Sequence, residues 1–414
     1  MPPDSAAAAA PSSQAFAYRD YRFFWAATAL TSFAAQIMAV GVGLQVYLLT
    51  RNAFYLGLVG LATFTPALLL VLFTGLVADR FNRRIIIAVT GCVEFVAAIT
   101  LLFYSGANAD QVWPVFVVLV CLGTARAFTG PAASSLAPNV VPPEALASAV
   151  SLNASAWSAA NILGPVVGGV LASLSLQLAF GTAALFSVLA VTSVLMIAAP
   201  KQKISHQATS VTTLLAGFRY IWHEKVVLGA ISLDLFAVLL GGATALMPIF
   251  ALDVLHVGAS GLGLLRAAPG IGAIPTALYL ARSPIRSHAG HILFVFVALF
   301  GLFTVVFGLS QWIWLSFPML VLMGACDMVS VSIRETLMQL WTPDEVRGRV
   351  NAVNSVFIGA SNEVGEFRAG TMAAFIGAVA AVAIGGVATM AVSLIWSRAF
   401  PGLRKAQRLD RREA

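Results

Sequence analysis

Charge is scarce in this sequence: Asp, Glu, Lys and Arg make up only 10% of its 414 residues, while 59% are hydrophobic. A soluble domain carries about 25% charged residues, so a water-soluble enzyme or binding module is excluded. Cysteine is scarce as well. Cys92, Cys121 and Cys326 sit inside apolar runs without C-x-x-C or Cys/His spacing, which argues against a disulfide framework and a zinc site. The five histidines, His206, His223, His256, His288 and His291, fall in loops or at helix ends, so no mid-membrane metal cluster is expected. The chain also lacks a Walker loop and any nucleophile with a convincing partner. Neither an enzyme nor a cofactor is expected. The first 22 residues lack the cationic start and the small-residue cleavage site of a secretory signal.

Long apolar runs are what the sequence has instead. At roughly 20 apolar residues per bilayer crossing, they predict twelve spanning helices, at 22–49, 54–77, 85–105, 113–133, 148–173, 177–199, 226–251, 260–281, 291–309, 312–335, 351–376 and 378–399. The net charge of +7 could suggest nucleic acid, but its distribution argues otherwise. With the amino terminus in the cytoplasm, 20 of the 24 Lys and Arg, Arg334 among them, fall in cytoplasmic joints; Arg51 alone lies outside, and Arg126, Arg266 and Arg368 lie within spans. This is the positive-inside pattern, which places both termini in the cytoplasm. No nucleic-acid partner is needed.

The polar stretch at 200–225 divides the chain into two six-helix bundles, 22–199 and 226–399, between a disordered tail at 1–21 and a basic tail at 400–414. The halves repeat. An offset of 201 lays Leu119, Gly123, Pro142, Glu144, Asn153, Asn161, Gly164 and Gly169 onto Leu320, Gly324, Pro343, Glu345, Asn354, Asn362, Gly365 and Gly370. An offset of 203 lays Gly60 and Pro66 onto Gly263 and Pro269, two residues being absorbed in a loop. Parallel six-helix repeats imply alternating access around a site between the halves.

Three motifs are specific. The joint after the second helix reads Gly75, Leu76, Val77, Ala78, Asp79, Arg80, Phe81, Asn82, Arg83, Arg84: a small residue for close packing, one carboxylate and a basic cluster. It resembles the signature loop of the major facilitator superfamily. The resemblance implies that Gly75, Asp79, Arg80 and Arg84 form a latch between the halves when the transporter is open outward; the counterpart near Arg282 to Arg286 lacks the Asp-Arg pair. The fifth helix carries Ala160, Asn161, Ile162, Leu163, Gly164, Pro165, Val166, Val167, Gly168, Gly169, small residues for close approach and a proline for a kink. It resembles the antiporter motif of that superfamily, departing at Ala160 and matching at Gly164, Pro165, Gly168 and Gly169. Arg126 and Gly130 resemble its fourth-helix motif. The runs Arg126 to Asn153 and Pro343 to Val350 resemble the branch that includes enterobactin exporters and macrolide-efflux proteins.

Ionisable residues inside a bilayer cost about 2.5–3.5 kcal/mol on insertion scales and are functional candidates by default. Those expected to serve proton coupling or the cavity are Arg126, Asp234, Asp327, Glu363, Glu366 and Arg368. Arg126 and Asp327 are repeat mates, expected to face each other across the cavity as a bridge, either permanent or opened by substrate. Glu363 and Glu366 share a helical face, and a carboxylate that loses water beside a like charge holds a proton more readily. Arg368 either neutralises one of them or leaves them free. Asp234 is the rival proton carrier, or else a gate or helix-packing residue. Glu94 and Arg266 rank lower because each could snorkel, toward the cytoplasm and the periplasm respectively. Gln36, Gln45, Asn161 and Asn362 either contact substrate or bond between helices.

These readings predict an all-α major facilitator fold and a secondary transporter in a bacterial cytoplasmic (inner) membrane. The expected activity is proton-coupled efflux of amphipathic organic compounds, a drug or a siderophore. Its partners would be a small organic substrate, protons and the lipid bilayer, and the chain would act as a monomer. An importer or uncoupled facilitator is the alternative, with a non-transport membrane receptor third.

Overall fold

The computed structural model describes residues 14–107, 110–198, 218–285 and 287–405. The linker at 199–217 and both chain ends lie outside the described residues. Twelve long helices follow in order: α1 (Arg19–Thr50), α2 (Ala53–Arg80), α3 (Arg83–Gly106), α4 (Trp113–Leu136), α5 (Leu146–Leu174), α6 (Leu176–Leu195), α7 (Lys225–Gly241), α8 (Gly258–Arg282), α9 (Ala289–Leu309), α10 (Ile313–Trp341), α11 (Asp344–Ile376) and α12 (Ala378–Ala399). Eleven of the described helical stretches are long and apolar enough to cross a bilayer. The exception, α11, has 33 residues but is interrupted by Glu363, Glu366 and Arg368. Its length spans about 50 Å at 1.5 Å per residue, and its charges must therefore be housed by protein.

The expected tail is partly folded: Gln14–Ala17 forms a 3-10 turn, Ala15 is fully buried, and the Tyr21 hydroxyl donates to the Ala149 carbonyl at 2.9 Å. At the other end, Pro401–Lys405 makes a short helix with Leu403 fully buried.

One span departs from expectation. α7 stops at Gly241, where the sequence predicts one span over 226–251, and short turns carry the chain on to a π turn at Phe250–Val254. The adjacent Gly241 and Gly242 explain the break, since glycine disfavours a helix by about 1 kcal/mol. The carbonyls left at the helix end require new donors, and Arg368 of α11 supplies them, donating to Leu239 at 2.9 Å and Leu240 at 2.5 Å. Arg368 thus caps a broken helix and makes no ion pair with Glu363 or Glu366.

Within the first half α1 packs on α5 and α6, α2 on α4, and α3 on α4 and α6; α7 with α11 and α12, α8 with α10, and α9 with α10 and α12 repeat this pattern. The halves meet along two seams, α2 with α11 and α5 with α8. Glycine sets both. A Cβ at Gly370 would stand 2.6 Å from Gly57 Cα and 2.7 Å from the Ala53 carbonyl oxygen; one at Gly169 would stand 2.8 Å from Gly263 Cα and 2.7 Å from the Ala259 oxygen. Gly57 therefore corresponds to Gly263. Gly123 packs on Thr63 of α2 as Gly324 packs on Pro269 of α8, which gives the same offset of 206. The expected offset of 203 is thereby corrected: the irregular stretch after α7 absorbs more residues than a simple loop would.

Both seams close toward the ends of the helices away from the termini. There one buried apolar cluster draws on both halves, with Ile37, Leu56 and Leu101 joined to Phe250, Leu265 and Phe307. Among the described residues, the buried clusters nearer the termini each belong to one half, as Tyr21 with Leu136 and Val140, and Leu233 with Leu293 and Ile333.

Candidate functional site

Below the closed face, a cavity of about 190 Å³ lies between the halves. Met38, Val42 and Gly43 of α1, Gly60 and Thr63 of α2, Leu122 and Arg126 of α4, Pro248, Arg266 of α8, and Glu363 and Glu366 of α11 line it. Its charged groups lie about 12–20 Å below the helix ends at 1.5 Å per residue.

Glu363 and Glu366 reach across the seam to one spot on α2. A Cβ on Gly60 would overlap the Glu363 carboxylate and would stand 3.3 Å from Glu366 Oε2. Under the corrected offset the counterpart of Gly60 is Arg266, which lines the same cavity from the other seam. Arg266 does not snorkel outward as its position had suggested. Its guanidinium is held by the Ala39 carbonyl of α1 at 2.8 Å, a bond that joins the halves. Arg126 faces the cavity with its side chain 40% exposed and pairs at 3.8 Å with the buried Glu94 of α3. Two expectations are corrected by that pair: Glu94 points inward, and Arg126 does not bridge to Asp327.

The other predicted charges form a separate group inside the second half. Asp234 of α7 pairs at 2.6 Å with Arg334 of α10, both side chains at most 12% exposed. Arg334, expected in a cytoplasmic joint, is instead buried and also donates to Ser330 at 3.2 Å. Asp327 flanks a void of about 20 Å³ beside Asp234, Cys326 and Ser330.

The amide candidates are mostly engaged with protein. Gln36 donates to the Asn161 side chain, joining α1 to α5; Asn161 also donates to the Trp157 carbonyl at 2.9 Å, and Asn362 to that of Ile358 at 2.9 Å. Gln45 is 3% exposed, and its Oε1 has no hydrogen-bond partner.

In the antiporter-like stretch, Gly164 and Gly168 admit α1, with a Cβ meeting Gln36 Cβ at 2.6 Å and Ile37 Cα at 3.0 Å, while Gly169 and Pro165 face α8. In the signature loop, Arg83 donates to the Ser135 carbonyl at 2.9 Å and Arg84 to that of Leu195, both within the first half. Arg80 is exposed and Gly75 partly buried. The Asp79 side chain lies outside the described residues.

A clasp that the sequence did not suggest closes the far face. Tyr47 donates its hydroxyl to Asp253 on the π turn; Arg51 pairs with the other Asp253 oxygen at 3.4 Å and lies over the Tyr47 ring at 5.5 Å. The available signal was Arg51 itself, the one cation that the charge pattern assigns to an outer loop. Arg51 takes a left-handed conformation, φ 48°, to end α1 before Asn52 caps α2.

The model of a family described as transmembrane secretion effector matches residues 7–412. The enterobactin exporter of Citrobacter koseri is 25% identical over 367 residues, covering 87% of this chain and 86% of that protein. The enterobactin exporter of Escherichia coli O139:H28 is 24% identical over 374 residues, with 87% and 86% covered. Among solved structures, an inward-facing, unoccupied bacterial homologue of the human lysosomal transporter Spinster matches with a TM-score of 0.71 at 15% identity, covering 93% of this chain and 95% of that one. A D-xylose-proton symporter matches with a TM-score of 0.69 at 12% identity, with 92% and 97% covered. At these identities the structures speak for the fold alone.

Proposed function

We propose that this chain, which belongs to the transmembrane secretion effector family of major facilitator transporters, expels amphipathic organic compounds from a bacterial cytoplasm in exchange for protons. The observation that carries the proposal is the convergence of Glu363, Glu366, Arg266 and Arg126 on one cavity between the halves. The relatives named as enterobactin exporters support outward movement and a siderophore-like cargo.

The mechanism follows from where the charges stand. With the termini cytoplasmic by the positive-inside pattern, the clasp and the glycine seams close the periplasmic face, and the cavity is reached from the cytoplasm. Substrate entering there competes with protons for the two carboxylates, and a ligand that favours one arrangement of the halves shifts the equilibrium by its differential affinity. Bound substrate favours parting of the outer seams; protons arriving from outside then reset the pair. In the outward-open state Asp79, Arg80 and Arg84 would engage the second half, whereas here Arg83 and Arg84 hold carbonyls of the first. Gln36 and Asn161 fix α1 against α5 during this motion and are not needed as substrate ligands.

Everted membrane vesicles test the reading. An inside-acid gradient should drive accumulation of enterobactin or of a fluorescent amphipathic dye, and collapsing the gradient should release it. Transport of either compound that ignores the gradient would refute proton exchange, and no movement of either by purified, reconstituted protein would count against transport of this class.

A further inference from the structure

Both α11 carboxylates converge on Gly60 of the first half, which receives them by lacking a side chain. The seam glycines meet backbone: a Cβ on Gly57 would stand 3.0 Å from the Glu366 carbonyl oxygen and from Phe367 Cα. A Cβ on Gly60 would instead meet the far end of a flexible side chain, the Glu363 carboxylate, and then Glu366 Oε2 at 3.3 Å. Gly60 is therefore a notch in α2 that admits a charge, whereas Gly57 admits a helix. Because α2 belongs to one half and α11 to the other, the carboxylates can occupy the notch only while the outer seam is closed.

We propose that Gly60 is the positioning residue of proton coupling: lodging the Glu363 carboxylate against it presses that group toward Glu366, so that proton binding and closure of the outer face favour one another. The proposal rests on the exchange reading above and gives it a geometric cause. Parting α2 from α11 withdraws the carboxylate from the notch and exposes it to the outer side; closing the seam brings two like charges together, and a proton relieves their repulsion. The other charged groups at this place are Arg266 from α8, held by the Ala39 carbonyl, and Arg126 from α4, with Glu94 of α3 behind it. Arg368 on α11 is turned away to the α7 carbonyls. Acid should therefore favour the closed outer face, as an exporter reset by outside protons requires.

The test needs no substrate. With Cys92, Cys121 and Cys326 replaced by alanine, spin labels at Asp110 and Gln311, both exposed in loops at the outer face, report the separation of the halves in full-length protein in detergent. Acidification should shorten the mean distance. Gly60→Ala should move the midpoint of that titration toward acid by about one pH unit or more, tenfold in proton activity, and the added Glu363→Asp, one methylene shorter, should restore it. Gly57→Ala tests plain packing: it should also disfavour closure, but Glu363→Asp should not rescue it. A Gly60→Ala titration that matches the parent, or a monodisperse double variant that is not restored, would overturn the notch. Gly402→Ala, away from the cavity and with a Cβ that would meet only Val226 at 3.5 Å, should titrate as the parent. If Glu363→Gln and Glu366→Gln both titrate like the parent, the exchange reading itself fails, and the notch with it.

Discussion

The two seams between the halves share a backbone and differ in chemistry. At α5/α8, Gly169 meets Gly263 and Gly270 meets Ile162, contacts with no charged group; at α2/α11, Gly370 meets Gly57, but Gly60 meets Glu363 and Glu366. Pro165 and Glu366 are repeat mates, as are Gly60 and Arg266 under the packing offset. On the proposed exchange, the first seam would serve as a hinge and the second as a sensor, and the helix of the uncharged seam contributes the arginine that lines the cavity with the carboxylates. Small residues in membranes let backbones approach wherever they occur. Charge is therefore what distinguishes the seams, and location is what sets the charged seam apart from the Asp234–Arg334 pair, which lies wholly within one half.

The largest expected effect concerns that internal pair. Arg334→Ala leaves Asp234 buried and uncompensated, and should cost about 3–5 kcal/mol of stability, read as a lowered thermal midpoint in detergent; Asp234→Asn should cost less and keep the gradient response. If Asp234→Asn instead abolishes that response, charge inside one half is the sensor and the contrast between the seams collapses.

Next comes Glu366→Gln, which should lower gradient-driven transport in everted vesicles on the order of 10- to 100-fold, the range of a coupling free energy of about 1–3 kcal/mol. Glu363→Gln should act in the same direction. Pro165→Ala at the mated position of the other seam should change the rate while preserving dependence on the gradient.

Backbone packing should respond alike on both sides. Gly57→Leu and Gly263→Leu should each destabilise the outer-closed form by about 1–3 kcal/mol, and unequal shifts in spin-label distance would show that the seams are not mechanically equivalent. The smallest effect belongs to the clasp. Its ion pair is exposed, with side chains at 59% and 43%, so Asp253→Asn should shift the open-to-closed ratio by no more than about fivefold, the equivalent of roughly 1 kcal/mol. Accessibility labelling of cavity positions from the periplasmic side would measure that shift.

Much of this architecture is legible in the sequence because membrane spans are written as apolar runs and repeats as fixed offsets. The small-residue stretch of α5 is legible as a motif, and the two carboxylates of α11 as departures from their repeat mates Ile162 and Pro165. The rotation of each helix is not. Helices such as α2 and α8 are apolar on nearly every side, so no polar stripe shows which face meets the cavity, and the sequence favours a snorkelling Arg266 over a cavity residue. Depth along the chain likewise placed Arg334 in a joint, whereas α10 continues to Trp341 and buries it. The break in α7 follows from Gly241 and Gly242, but its consequence, the capture of Arg368, depends on which helix passes alongside. That neighbour is a tertiary fact.

The central claim is that the carboxylates of the charged seam exchange protons for substrate. Proton release from purified protein, followed with a pH-sensitive dye as enterobactin is added in weakly buffered detergent solution, tests it most directly. Release is expected from the wild type and from Asp234→Asn, and should be lost when Glu363 and Glu366 are both replaced by glutamine. Undiminished release from the double glutamine variant, with loss in Asp234→Asn, would transfer the exchange to the interior of the second half and leave the charged seam as structure.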